Sequence, residues 1–476
     1  MVEARLRALG DRIEVYVDED DVDEVGDEVL RGLVSGFERV VDPALSGWIG
    51  RPIDVDGDGR FAVLLSSRVG RPYEAARCHV DGYFRGADLD VSLPRPLSNR
   101  ADLIYLDARL RPGSYLETIL AHEYAHAVLA SRRMERVGPN PEPAWLDEAM
   151  AHLCEDRVGR SAANLDYRVS AYLTDPSRYR LVLPESSRPE DFRSHGSRGA
   201  SYLFLRWCAE AFDPDLPRTL ALGRFTGAEH LERLSGLPFG ELHRRWALDL
   251  ARGSLGGSIG GVDLLGTIGE WPIGGVRFSP LGPEVGDRPF SIEGTGTRFF
   301  RLSTEPSGPT RLELRLDPSS APMLTAMIPG GPLPRLSLGV TEVDRDEGRV
   351  GLVAQVEERA GIPVELDRLS WEPIVPPRDL PRDAHRPGEI PGDGLASLFP
   401  GTTLPARGRL ISRRFEIDPA MLRRGPMIFR LSARDAEGDR VVAWAEFDPE
   451  APPTGGGEAL VVRSSPRAVD ESVTAP

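Results

Sequence analysis

Hydrophobic and polar positions alternate with a period of two over residues 12 to 17, Arg-Ile-Glu-Val-Tyr-Val, which predicts a half-buried strand opening the fold. An acidic run from Asp18 to Asp23 follows. Val25, Val29, Leu30, Leu33 and Phe37 then recur at helical spacing and predict a helix from about Glu24 to Val41. Phe61 to Leu65 and Leu103 to Leu106 are continuous apolar runs of strand length, separated by a long loop with several prolines. In the run from Ser114 to Arg133, Leu116, Ile119, Leu120 and Ala127 share one helical stripe. This order of strand, helix, strand, long loop, strand and helix predicts a small twisted sheet packed on the last helix. From Ala162 to Arg252 the pattern stays helical, clearest over residues 199 to 212 and ending with a helix over residues 237 to 251.

The pattern breaks at Gly253-Ser-Leu-Gly-Gly-Ser-Ile-Gly-Gly261, which reads as a linker. Beyond it come short alternating runs between Gly and Pro: Thr297 to Leu302, Arg311 to Leu316, Leu336 to Val340, Val350 to Val356, Met427 to Leu431 and Val441 to Phe447. Runs of this kind predict β-sandwich modules. The expected organisation is an α+β domain over residues 1 to 256, with a sheet lobe and central helix at 1 to 134 and a helical lobe at 135 to 256. Two sandwich-like modules follow at 257 to 340 and 341 to 450, and a polar, disordered tail at 451 to 476.

All 58 basic residues are Arg, and 74 acidic residues leave a net charge of −16, which disfavours nucleic acid or an anionic membrane as the main partner. Cys78, Cys154 and Cys208 are too few and too irregular for a disulfide framework or a Cys-based zinc site and read as buried thiols. No stretch has the apolar length of a transmembrane helix, and Met1 to Gly10 lacks the apolar core of a signal peptide. The chain is therefore either intracellular or begins after a removed export signal.

The helix from Ser114 carries His122-Glu123-Tyr124-Ala125-His126, an H-E-x-x-H pattern. Two imidazoles one turn apart can reach one metal ion, or stand as solvated residues on a helix face. Glu123, rotated by about 100° from His122, falls beside such an ion and can take a proton from its water. Catalytic zinc needs three protein ligands and an open position, and Glu148, in Pro143-Ala-Trp-Leu-Asp-Glu-Ala-Met-Ala-His-Leu-Cys-Glu155, supplies the third from a second helix. The breakers in Gly138-Pro-Asn-Pro-Glu-Pro143 let the two helices fold back on each other. Asp147, His152 and Glu155 are either ordinary helix charges or, for His152 or Asp147, partners that orient a ligand imidazole. Asp54, Asp56 and Asp58 have the D-x-D-x-D-G spacing of a calcium loop, but Leu65 stands where an EF-hand needs Glu, so a tight Asp/Gly turn competes with a bound calcium. His79 and His385 read as loop residues, and His230 and His243 as surface or packing residues.

H-E-x-x-H followed by W-L-x-E-x-x-x-H resembles the gluzincin, thermolysin-like metallopeptidases, and in detail the hyicolysin family. Asp54-Val-Asp-Gly-Asp-Gly-Arg-Phe-Ala-Val-Leu-Leu65, Gly82-Tyr-Phe84, Asp102-Leu-Ile-Tyr-Leu-Asp107 and Gly199-Ala-Ser-Tyr-Leu-Phe-Leu-Arg-Trp207 are similar to segments of that family, so the likeness covers roughly residues 12 to 250. It implies a zincin-like α+β catalytic domain, zinc on His122, His126 and Glu148, and Glu123 as general base. An edge strand would pair with an extended protein or peptide substrate, and the protein would be exported to the cell envelope or beyond. One departure stands out. A Tyr expected just before Gly199 as oxyanion donor is replaced by Ser197 and Arg198, leaving His195 and Tyr202 as substitutes. The function implied is a zinc endopeptidase. The alternatives are an aminopeptidase of the same superfamily, for which no G-x-M-E-N-like run is present, and a non-catalytic protein with a structural zinc whose β modules contact a cell surface or polymer.

Overall fold

The computed structural model describes residues 2–69, 80–138, 141–184, 194–254, 267–268, 271–281, 290–302, 322–326, 334, 336–346, 349–373, 388–417, 426–436 and 440–449. Cys78, His79, His385, the run 311 to 316 and the tail lie outside these residues, as does most of the Gly-rich linker.

The first sheet contains β1 (Ala4–Leu9), β2 (Ile13–Asp18), β3 (Phe61–Leu65), β4 (Gly82–Phe84) and β5 (Leu103–Leu106), in the order β1-β2-β3-β5-β4. The strand predicted from Arg12 to Val17 is present as β2, but it does not open the fold. β1 precedes it and pairs antiparallel at the sheet edge. β1 is largely exposed, so it carries no burial-driven alternation for a sequence reading to detect. β2, β3 and β5 run parallel, while β4 is antiparallel to β5 and forms the opposite edge. Alternation divides the central strands between two faces. Ile13, Val15, Val17, Phe61, Val63, Leu65, Ile104 and Leu106 enter the main core, and Ala62, Leu64, Leu103 and Tyr105 form a smaller cluster on the other face.

Helix α1 (Asp27–Gly36) continues through a π turn at Phe37–Val41 into α2 (Asp42–Leu45). The long helix α3 (Ser114–Val137) lies beneath the sheet and is buried around most of its circumference. Tyr124 on α3 packs edge-on against Phe37 and Phe61, joining helix, π turn and sheet in one aromatic cluster. Next come α4 (Ala144–Val158), α5 (Asp166–Thr174), α6 (His195–Ala211), α7 (Leu216–Leu222), α8 (Gly227–Ser235) and α9 (Phe239–Ser254). They share the same core through Trp145, Leu146, Val169, Tyr172, Phe204, Trp207 and Trp246.

Beyond the linker, short pairs β6 (Thr267–Ile268) with β7 (Trp271–Pro272) and β8 (Ser279–Leu281) with β9 (Phe300–Leu302) lead on from the helical lobe. Ile268, Trp271, Ile273 and Val276 pack into the helical core. A second core then gathers β10 (Leu336–Asp346), β11 (Arg349–Glu358), β12 (Val364–Pro373), β13 (Gly388–Pro391), α10 (Gly392–Leu398), β14 (Thr403–Leu404), β15 (Arg409–Ile411), β16 (Phe415–Ile417), β17 (Met427–Arg434) and β18 (Arg440–Phe447). These strands form two antiparallel sheets, one around β11 and one ordered β13-β12-β17-β18. Residue 340, where the sequence divides two modules, lies inside β10. The architecture is an α+β unit followed by a β-rich C-terminal region. The two are tied by Glu372 on β12, which accepts a hydrogen bond from Ser170 of α5 at 2.5 Å and pairs with Arg430 of β17, all three residues being buried.

The crossing of α5 and α6 is set by Gly199, where any Cβ would run into the backbone carbonyl of Arg168. Only a residue without a side chain allows that approach. Gly199→Ala is expected to lower stability by about 1–3 kcal/mol through overpacking, read as a drop in the denaturant midpoint.

Candidate metal centre

α3 sets His122 and His126 one turn apart, and both imidazoles and Glu123 are buried. α4 begins after Pro143, buries Trp145, Leu146, Ala149 and Met150, and ends on Gly159 in the left-handed conformation. Glu148, His152 and Glu155 recur on it at i, i+4 and i+7, one stripe along α4. His122 Nε2 lies 3.2 Å from His126 Nε2 and 3.5 Å from Glu148 Oε2. The three donor atoms fall within 4.8 Å of one another. Ligands about 2.05 Å from a tetrahedral zinc are separated by roughly 3.3 Å, and the two distances from His122 bracket that value. Glu148 Oε2 is buried and has no hydrogen-bond partner among the described residues. A cation between these atoms would meet that need, so the residues fit a zinc-type site.

The far side of each imidazole is also held. Glu155, fully buried, accepts from His122 Nδ1 at 2.6 Å, His152 Nδ1 at 2.9 Å and Asn164 Nδ2 at 2.6 Å, all on Oε1. With Nδ1 donating to Glu155, His122 turns Nε2 towards Glu148 and His126, where it could bind a cation on losing its proton. Asp147 Oδ2 lies 2.9 Å from His126 Nδ1, in the range of a charge contact. Asp147 thus meets a ligand imidazole directly, whereas His152 reaches His122 only through Glu155 and ring packing at 4.8 Å. His122, His152 and Glu155 also cluster closely enough to hold an ion. Their 2.6 and 2.9 Å separations are hydrogen-bond lengths, however, shorter than the spacing of two ligands around zinc.

Burial alone would discharge every group here, and the local charges decide which ones resist it. Burial pulls His122 down, but the Glu148 carboxylate 3.5 Å away and the hydrogen bond to Glu155 outweigh it and raise the imidazole to about 10. His126 is also raised, Asp147 outweighing its burial. Burial raises Glu148, but the Arg198 guanidinium and His122 overcome it and hold the carboxyl well below its usual range. Glu155 is held low against burial by His152 and His122. His152 falls to about 3, chiefly through burial, and is neutral. Glu123 is raised by burial, with His122 and His126 opposing.

The edge strand β4 closes over Glu123. A Cβ on Gly82 would come 3.0 Å from Glu123 Cγ and 2.7 Å from Leu106 Cδ2, so only glycine lets the strand lie this close to the carboxylate.

Of the two substitute oxyanion donors, Tyr202 requires correction. Tyr202 is fully buried, its hydroxyl donates to Asp156 at 2.8 Å, and Arg206 donates to it in turn, so it does not face the cluster. His195 is exposed and packs edge-on against Tyr167. The residue of α6 that enters the site is Arg198, whose Nη2 donates to Glu148 Oε1 at 2.5 Å. Glu155, which reads in the sequence as an ordinary helix charge, is fully buried, and Asn164 and Gly82 carry no site signal of their own in the sequence. The seven-residue step from Glu148 to Glu155, two turns on one helix stripe, is the signal that could have revealed Glu155.

Elsewhere, Asp54 accepts from the amides of Gly57 and Gly59, and Asp58 from that of Arg60, the pattern of an Asp/Gly turn. All three aspartates are exposed; their oxygens lie within 4.8 Å of one another, but Asp54 and Asp58 are already occupied by the amides of the turn. Cys154 and Cys208 are buried free thiols. His230 is buried in the helical lobe 3.4 Å from Glu142 Oε1, whereas His243 packs on Trp246 and reaches past the linker, its Nε2 lying 3.1 Å from the carbonyl of Thr295. No described helix is long and apolar enough to cross a membrane.

No family model matches the chain. It is similar to the neutral metalloprotease ShpI of Staphylococcus hyicus, at 28% identity over 179 residues, which span 36% of this chain and 39% of that protein.

If Glu155 orients His122, Glu155→Gln keeps an acceptor oxygen for Nδ1 but removes the charge behind it. Zinc affinity measured by chelator competition is expected to fall about 10- to 100-fold, with the fold retained.

Proposed function

We propose that the protein is a zinc-dependent endopeptidase of gluzincin type, with His122, His126 and Glu148 holding the ion and Glu123 serving as general base. The observation that carries this reading is the convergence of three donor atoms within 4.8 Å, those of His126 and Glu148 at 3.2 and 3.5 Å from His122 Nε2, with the buried Glu123 carboxylate next in sequence to His122. The likeness to a neutral metalloprotease supports it.

When bound, zinc would act as a Lewis acid and lower the pKa of water in the site from about 16 towards about 7. Glu123 would take a proton from the attacking water as the new C–O bond forms, then pass it to the amide nitrogen as the C–N bond breaks. Its burial beside the proposed ligands places it to take the proton and return it. Glu155 and Asp147 would keep both imidazoles aimed while this happens. The outer edge of β4, unpaired among the described strands and brought against Glu123 by Gly82, would bind an extended peptide by strand addition, recognising its backbone before its side chains.

The competing reading is a non-catalytic protein with a structural zinc, and the base separates the two. A structural site uses its ligands and has no need of a carboxylate placed like Glu123.

Two outcomes are expected. Purified protein should contain about one zinc per chain, and His126→Ala should lose it, as checked by elemental analysis. Glu123→Gln should keep its zinc and fold while hydrolysis of an unfolded protein such as casein falls at least about a hundredfold. Wild-type protein that holds zinc yet cleaves no peptide in a broad library would overturn the enzymatic reading.

A further inference from the structure

The most unusual group at this centre is a cation. Arg198 stands where the family resemblance leads one to expect a Tyr, and its guanidinium lies against Glu148, the carboxylate proposed as third ligand. The two oxygens of Glu148 have different surroundings. Oε1 accepts from Arg198 Nη2 at 2.5 Å, whereas Oε2 is buried, lies 3.5 Å from His122 Nε2 and 4.0 Å from His152 Nε2, and has no hydrogen-bond partner among the described residues. Arg198 itself is fixed from behind, because the next residue is Gly199, packed against the backbone of α5.

We propose that Arg198 is a positioning residue of the metal centre: by occupying Glu148 Oε1 it presents Oε2 alone to the ion and keeps Glu148 a one-oxygen ligand. A carboxylate left to itself can bind through one oxygen or both, and a second bound oxygen would fill the position that a catalytic zinc must leave open. A charge-assisted hydrogen bond from a planar guanidinium opposes that rotation through both its strength and its direction. Lys would supply the charge without the fork, so the two residues are not equivalent here.

The inference rests on Glu148 being a metal ligand, and its test is read without reference to activity. Arg198→Met, Arg198→Lys and wild type would be compared for zinc affinity by chelator competition, for the visible absorption of the cobalt(II)-loaded protein, and for thermal unfolding without metal. In Arg198→Met, zinc affinity is expected to fall about 10- to 100-fold, the usual loss when an outer partner of a ligand is removed. Its cobalt bands should weaken as coordination rises above four. Arg198→Lys should recover affinity but not the wild-type spectrum. Matching affinity and spectrum in Arg198→Met and wild type would overturn the proposal, as would absence of zinc binding by the wild type. If the variants behave as expected while the wild type hydrolyses nothing, the peptidase reading fails and the role of Arg198 stands. If the wild type hydrolyses peptides and Arg198→Met is indistinguishable from it, the reverse holds.

Discussion

The site depends on one electrostatic constraint: three carboxylates, Glu123, Glu148 and Glu155, are packed between α3 and its neighbours with little access to water. A buried charge costs several kcal/mol unless opposite charge and hydrogen bonds meet it. Glu155 is met by two imidazoles and an amide, and Glu148 by Arg198 and His122. Glu123 is the exception, since its nearest compensation comes from the two imidazoles of its own helix. This difference separates groups that are held from a group that can react. A carboxylate tied by several strong hydrogen bonds is a poor base, and one that is buried and loosely opposed is a better one.

The scaffold around this cluster is rigid where the chemistry needs it to be. α3 is clamped by the sheet on one side and the helical lobe on the other, and Tyr124, between the two histidines, anchors it in the aromatic cluster with Phe37 and Phe61. The two glycines that touch the site work at close approaches. Gly82 lets an edge strand reach Glu123, and Gly199 lets α6 reach α5 and bring in Arg198. A methyl group at either place would move a functional side chain by displacing the element beside it.

The β-rich region is joined to the helical lobe through buried polar contact, Ser170 and Arg430 both meeting Glu372. Trp271 and Ile273 extend the helical core past the linker in sequence. Of these, the contacts made by Ser170 are the ones that cross between the two parts, since Glu372 and Arg430 stand on neighbouring strands of one sheet.

Much of the fold and the heart of the site were legible in the chain. The apolar runs that became β2, β3 and β5 were visible because each buries a face, and the H-E-x-x-H spacing follows from helix geometry alone. Glu148 could be named as a candidate because catalytic zinc needs a third protein ligand and the next helix offers this carboxylate in a family-like pattern among its four. β1 was missed because an exposed edge strand has no burial to impose a pattern. Arg198, Asn164 and Gly82 were missed because their roles arise from contacts between segments 50, 9 and 41 residues apart in sequence. Tyr202 was misread for the same reason, since only the packing of α6 on α4 decides that its hydroxyl meets Asp156. Local periodicity determines which residues share a face of their own helix or strand. Which foreign side chain that face meets depends on how the elements pack, and tertiary structure alone decided that.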